Sequence, residues 1–315
     1  MLLKATVLAL LSLFPALYAE DSHAPIIKRS PSPDVQLRST VSLVMVPVHI
    51  TTQTGLSVTT LNKDNFHLFE DNVEQRIVTF SKDDAPLSIG LLVDSSGSMK
   101  NKIKTTSEAA TAFFRTSHPS DEIFLIQFGE RPKLVLPFTR DPDEICHEVG
   151  RIRPFGRTSL FDAIQLALRQ MKNAHNERKV IVILSDGGDN RSRRTAREIK
   201  NAILESDVQL YAMGIFDEAP DPRRQTAEEQ NGPELLSNLA ALSGGRHYPV
   251  SKLEDLPAIS ERISNELRNQ YLLGYSSTNP VLDGKFRTVK LNVAGAEQWA
   301  PMRTQYRHGY YAPLE

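Results

Sequence analysis

Two hydrophobic periodicities divide the chain. Between 40 and 80 the apolar positions follow strand spacing: Val41, Leu43, Met45 and Pro47 alternate with Val44, Val46 and Val48, so both faces of the first strand read as covered. A turn signal at Gln53-Thr54-Gly55 and short runs at 64–72 and 75–80 complete a small all-β unit. At Ala85 the texture changes. Positions 86–93 are almost wholly apolar and end in Asp94, the pattern of a central parallel strand. Helical spacing follows at 103–115, 141–152, 159–171, 194–204, 234–242 and 253–268. Strand-like runs at 122–128, 133–138, 179–184, 208–215 and 247–250 alternate with them. This alternation predicts an α/β fold with a doubly wound, mostly parallel sheet. Beyond it, 270–275, 286–293 and 302–306 are short strands bracketed by Asn279-Pro280, Asp283-Gly284 and Gly295. Neither β flank has enough strands to stand alone. They are expected to pair into one small β-sandwich-like domain, an N-terminal segment 38–84 with a C-terminal segment 270–315, with the α/β unit 85–269 inserted between them.

The first 19 positions read as a secretory signal: Lys4, an apolar core at 5–13, and small residues up to a cleavage site near Ala19. A flexible leader at 20–37 follows, and the expected location is secreted or periplasmic. Lys+Arg 37 against Asp+Glu 38, net charge -1, argues against a protein held to nucleic acid by bulk electrostatics. Cys146 is the only cysteine, which removes intrachain disulfides and cysteine-based metal clusters. Apart from the N-terminus, no apolar run approaches the ~20 residues of a membrane-spanning helix.

The chemistry concentrates in three pieces. Asp94-Ser95-Ser96-Gly97-Ser98 ends the first α/β strand, where open sheets place their ligands. Asp94, Ser96 and Ser98 can aim at one point, with Gly97 giving backbone freedom. Gly156-Arg157-Thr158-Ser159-Leu160 precedes a helix, and Ser185-Asp186-Gly187-Gly188 ends the second buried strand. A donor set made wholly of oxygen favours a hard cation, Mg²⁺ or Mn²⁺. The bland alternative is that these Ser/Gly-rich turns only cap the following helices. Catalytic readings fare worse. A phosphatase nucleophile at Asp94 needs a carboxylate at position 96, which is serine. The Gly-x-Ser-x-Gly elbow, the P-loop and His-x-x-x-His spacing are all absent from the sequence. Asp162 reads as loop support, Asp189 and Asn190 as a solvated turn, and 216–232 as a long mobile insertion.

Asp-x-Ser-x-Ser after a hydrophobic strand, Gly-x-Thr-x-Leu-x-Asp-Ala before a helix, and Ser-Asp-Gly after the next strand together resemble a von Willebrand factor type A domain over roughly 86–269. The flanking 61–71, 271–275, 283–287 and 309–313 resemble the secreted bacterial VWFA-related proteins of acidobacterial type. The resemblance implies a metal-ion-dependent adhesion site. Ser96 and Ser98 would bind the ion directly, Thr158 directly in the ligand-competent state, one or both of Asp94 and Asp186 through water, and Mg²⁺ (or Mn²⁺ or Ca²⁺) would keep one position open for a partner's Glu or Asp carboxylate. The expected function is therefore non-enzymatic protein binding. The alternatives are a structural envelope or assembly protein whose metal only stabilises it, or a Mg²⁺-dependent phosphohydrolase.

Overall fold

The computed structural model describes residues 43–82, 84–115, 117–216, 227–250, 252–295 and 301–314. The expected signal (1–19) and leader (20–37) lie outside the described residues. The N-terminal flank gives β1 (Leu43–Thr52), β2 (Phe66–Glu70), β3 (Val73–Gln75) and β4 (Ile77–Ser81). The α/β unit follows as β5 (Leu87–Asp94), α1 (Ile103–Arg115), β6 (Glu122–Phe128), β7 (Lys133–Thr139), α2 (Pro142–Gly150), α3 (Leu160–Gln170), β8 (Arg178–Ser185), α4 (Ala196–Leu204), β9 (Val208–Ile215), α5 (Ala227–Leu242), β10 (His247–Val250) and α6 (Leu256–Arg268). The C-terminal flank adds β11 (Gln270–Ser276), β12 (Phe286–Val293), β13 (Met302–Gln305) and β14 (Gly309–Tyr311).

The central sheet runs β10-β9-β8-β5-β6-β7 and is parallel except for the edge strand β7. Every residue of β5 is buried because helices cover both faces of the sheet. Phe113 of α1, Ile145 of α2 and Ile263 of α6 pack with Ile89 and Leu91 on one face; Ile164 of α3, Ile203 of α4 and Leu239 of α5 pack with Leu92 and Ile126 on the other. The winding direction reverses between β5 and β8, so a crevice opens at their carboxyl ends.

Strands from the two flanks interleave. One antiparallel sheet has the order β13-β1-β11-β4 and the other β14-β12-β2-β3. Their inner faces share one core, in which the Phe66 ring lies 5.0 Å from Tyr271. Buried Glu70 on β2 accepts hydrogen bonds from the hydroxyls of Tyr275 (2.8 Å), Tyr310 (2.8 Å) and Ser277, all from the far end of the chain. Tyr271 is anchored similarly: its hydroxyl donates to the Val58 carbonyl and accepts from the Leu61 amide, each at 2.9 Å. The β2–β3 turn places Asp71 and Asn72 at φ 47° and 68°, a left-handed pair that short polar side chains tolerate.

Only Asn269 separates α6 from β11, so the last helix of the α/β unit continues into a central strand of the sandwich. The joint is polar and buried. Glu266 on α6 accepts from His49 Nδ1 of β1 (2.7 Å) and from the Tyr248 hydroxyl, and it pairs with Arg246 at 3.3 Å. Burial opposes ionisation of Glu266, but the hydrogen bond and charge of His49 and the charge of Arg246 outweigh it and hold the carboxyl below its usual range.

Two elements differ from the sequence-based expectation. Helix α5 begins at Ala227, seven residues before 234, and runs through Pro233. A proline forfeits one helical hydrogen bond, and Gly232 is held from outside the helix: a Cβ there would lie 2.4 Å from the Asp186 carbonyl oxygen. So 227–232 is helical and not an open insertion, while 217–226 lies outside the described residues. Strand β14 was not expected, because three residues carry too little periodicity to register.

Glu70→Ala leaves the two buried hydroxyls of Tyr275 and Tyr310 without this acceptor and is expected to cost about 2 kcal/mol or more in urea unfolding. Because Glu266 has a lowered folded pKa, its stabilisation is present above its ordinary value of 4.5 and is lost as pH falls through the lowered one. Glu266→Gln is therefore expected to flatten the loss of melting temperature as the pH falls below 4.5, read by a pH series of thermal melts.

Candidate metal centre

Asp94 ends β5 and Ser96 lies two residues beyond it, Ser98 sits in the short helical turn Gly97–Met99, Thr158 lies two residues before α3, and Asp186 comes one residue after β8. All therefore fall at the carboxyl edge of the sheet, at its switch point. Asp94, Ser96, Thr158 and Asp186 are buried, while Ser98 faces solvent.

Hydrogen bonds join the three loops pairwise. The Gly97 amide donates to the Gly156 carbonyl (3.0 Å) and the Phe155 amide to Ser95 (2.7 Å), which ties the first loop to the second. Thr158 and Asn190 exchange bonds at 3.1 Å, Thr158 N to Asn190 Oδ1 and Asn190 N to the Thr158 carbonyl, which ties the second to the third. Ser185 Oγ donates to Asp94 Oδ2 at 2.6 Å and closes the ring between third and first. Asp94 Oδ1 also accepts from the Ser96 amide at 2.8 Å, and the Ser96 and Ser98 hydroxyls lie 2.9 Å apart.

Burial, and after it the nearby negative charge of Asp186, push the Asp94 carboxyl well above its usual range, against the hydrogen bonds from Ser185 and Ser96. Asp94 and Asp186, with the Ser96 and Ser98 hydroxyls and the neighbouring loop that carries Thr158, make an all-oxygen set whose charge conflict a small divalent cation would relieve. The residues present thus fit a hard cation. Among the described residues no group of three or more His, Cys, Asp or Glu offers a different metal site. Each Asp94 oxygen already accepts one protein hydrogen bond, which favours an outer role for that carboxylate.

The supporting roles of Ser185, Asp189 and Asn190 were not read from the sequence. Ser185 and Asn190 hold the loops together, and the Asp189–Asn190 segment is a built joint where a solvated turn was expected. Asp189 Oδ2 accepts from the Phe161 amide (2.8 Å) and from Ser192 Oγ (2.6 Å), and Ser192 Oγ in turn accepts from the Asp162 amide (3.1 Å). The third loop therefore caps α3. Ser159, the residue in the capping position, makes no side-chain cap bond. Asp162 accepts from the Arg193 and Arg194 amides, as loop support requires. Gly97 does not use left-handed backbone; Gly156 and Gly187 do, at φ 82° and 83°. Sequence distance hid these contacts: Asp189 and Phe161 lie 28 residues apart. Asp189→Ala is expected to destabilise the fold by about 1 kcal/mol, as losing a helix cap does, measured by urea denaturation.

The conserved-domain model described as the von Willebrand factor type A domain matches residues 89–188. No curated protein sequence matches the chain significantly. Among solved structures, a von Willebrand factor type A protein from Catenulispora acidiphila superimposes with TM-score 0.50 at 13% identity, covering 88% of this chain and 75% of that one. Proximal thread matrix protein 1 of the mussel byssus, in a form with a zinc-occupied MIDAS motif, gives TM-score 0.50 at 15% identity over 63% of this chain; that match spans about half of the mussel protein, 49%. BatB from Bacteroides thetaiotaomicron gives TM-score 0.46 at 20% identity, covering 57% of this chain and 98% of that one. The matched segment runs from within β5 to the end of the third loop, so it takes in β8 and all three loops, and residues 89–188 match a von Willebrand factor type A domain.

Proposed function

We propose that the protein is a secreted or periplasmic binding module that captures an acidic residue of a partner protein through a divalent cation. The observation that carries this reading is the ring of hydrogen bonds that ties the loops of Asp94, Ser96, Ser98 and Thr158 to the loop after β8, where Asp186 follows Ser185, at one edge of the sheet with Ser98 open to solvent. Ser96, Ser98 and Thr158 would hold the ion through their hydroxyls, and Asp94 and Asp186 would hold its waters. The bound ion, Mg²⁺ with Mn²⁺ or Ca²⁺ as alternatives, supplies a Lewis-acidic position for a carboxylate. The divalent metal in the mussel protein's motif supports an ion of this class.

The chain's own contribution is to keep the cluster dry beneath and exposed above. Asp94, Ser96 and Ser185 are shielded from water, so their dipoles are fixed before any ligand arrives. The donor set offers neither a second acid at position 96 nor an activated nucleophile, which supports binding over catalysis. In this reading 38–84 and 270–315 form the carrier sandwich and 85–269 the presenting domain. The flanking motifs support membership of the secreted acidobacterial-type proteins, and the positions 1–19 support export.

Titration calorimetry of the full-length protein is expected to show one Mg²⁺ or Mn²⁺ per chain, lost in Ser96→Ala. A pull-down from envelope and extracellular fractions should then lose the same prey with EDTA as with Ser96→Ala. If EDTA lowers the melting temperature but leaves capture intact, the metal is structural; phosphate-ester turnover abolished by Asp94→Ala would restore an enzymatic role.

A further inference from the structure

The segment that delivers Thr158 also displays an aromatic ring. Phe155 is 79% exposed, the most exposed large apolar side chain among the described residues. Its backbone is fixed on the metal loop: the Phe155 amide donates to the Ser95 carbonyl at 2.7 Å and the Gly156 carbonyl accepts from the Gly97 amide at 3.0 Å. Pro154 limits the backbone before it. After it, Gly156 at φ 82° is hemmed by Glu130, whose Cγ would lie 2.7 Å from a Cβ at that position. A phenyl ring carried in water on a braced backbone gains nothing for the fold. For a ligand, however, it is apolar area already in place, with little ordering left to do.

We propose that Phe155 is a specificity-determining contact of the site, which selects partners that carry a large apolar or aromatic residue close to the captured acid. The inference rests on the reading given under Proposed function. Phe155 lies three residues before Thr158, a span of at most about 11 Å. An extended partner segment rises about 3.3 Å per residue, so a side chain two or three positions from the acid reaches the ring. Charge favours the same pattern. Arg157, exposed between Phe155 and Thr158, attracts a carboxylate, while exposed Glu130 beside Gly156 disfavours a second acid next to the ring.

Selection of random displayed peptides on the full-length protein in Mg²⁺, with elution by EDTA, tests both layers. Wild type is expected to yield an acid with an apolar or aromatic residue two or three positions away. Phe155→Ala should lose the apolar position from its consensus and bind the best wild-type peptide about tenfold or more weakly, whereas Phe155→Leu should restore most of the affinity. Ser96→Ala should yield no EDTA-eluted consensus. A wild-type consensus with an acid but no apolar position, or one unchanged in Phe155→Ala, overturns the role of Phe155 and leaves the metal reading intact. No acid in any EDTA-eluted pool overturns the metal reading itself.

Discussion

Asp94 is a carboxylate with no access to water, and the architecture of the site follows from how the fold accommodates it. Such a group is costly to bury unless it is hydrogen-bonded and offset by charge. Here the Ser96 amide and the Ser185 hydroxyl take one oxygen each. Asp186 adds a second negative charge, which makes the conflict worse. The arrangement is reasonable for a cluster meant to face a cation and poor for one meant only to stabilise a strand end.

The same economy governs the loops around it. Each is fastened to the other two by backbone or short side-chain bonds, so none needs a long side chain to define its position. The third loop reaches across to cap α3 through Asp189, and α5 presses Gly232 against the backbone at Asp186 and Gly187. Two helices of one face of the sheet, α3 and α5, therefore bear on the loops that carry the donor cluster, so the site is held by packing beyond the loops themselves.

The sandwich solves a different problem. Within each flank the described strands make one short pairing, β2 with β3 and β12 with β14, and the remaining ladders join one flank to the other. The flank motifs read from the sequence meet each other there: Glu70 from the first receives Tyr275 and Tyr310 from the second, and Asp71 receives Thr288 through both its amide (2.9 Å) and its hydroxyl (2.9 Å). The direct passage from α6 into β11, with Glu266 held by His49 of β1, joins the two halves of the architecture through a buried polar contact.

The sequence by itself determined the alternation of strands and helices and the turns of Asp94, Thr158 and Asp186 at the carboxyl ends of the sheet, because these are local patterns of apolar period and side-chain type. Even the reunion of the flanks was legible, since short strands cannot stand unpaired. Tertiary structure alone decided the start of α5, the short strand β14, and the roles of Ser185, Asp189 and Asn190. Pro233 reads locally as a break, yet packing at Gly232 carries the helix through it. Asn190 meets Thr158 across 32 residues of chain. Contacts of that kind leave no periodic trace, because the energy that selects them arises only once distant segments are already side by side.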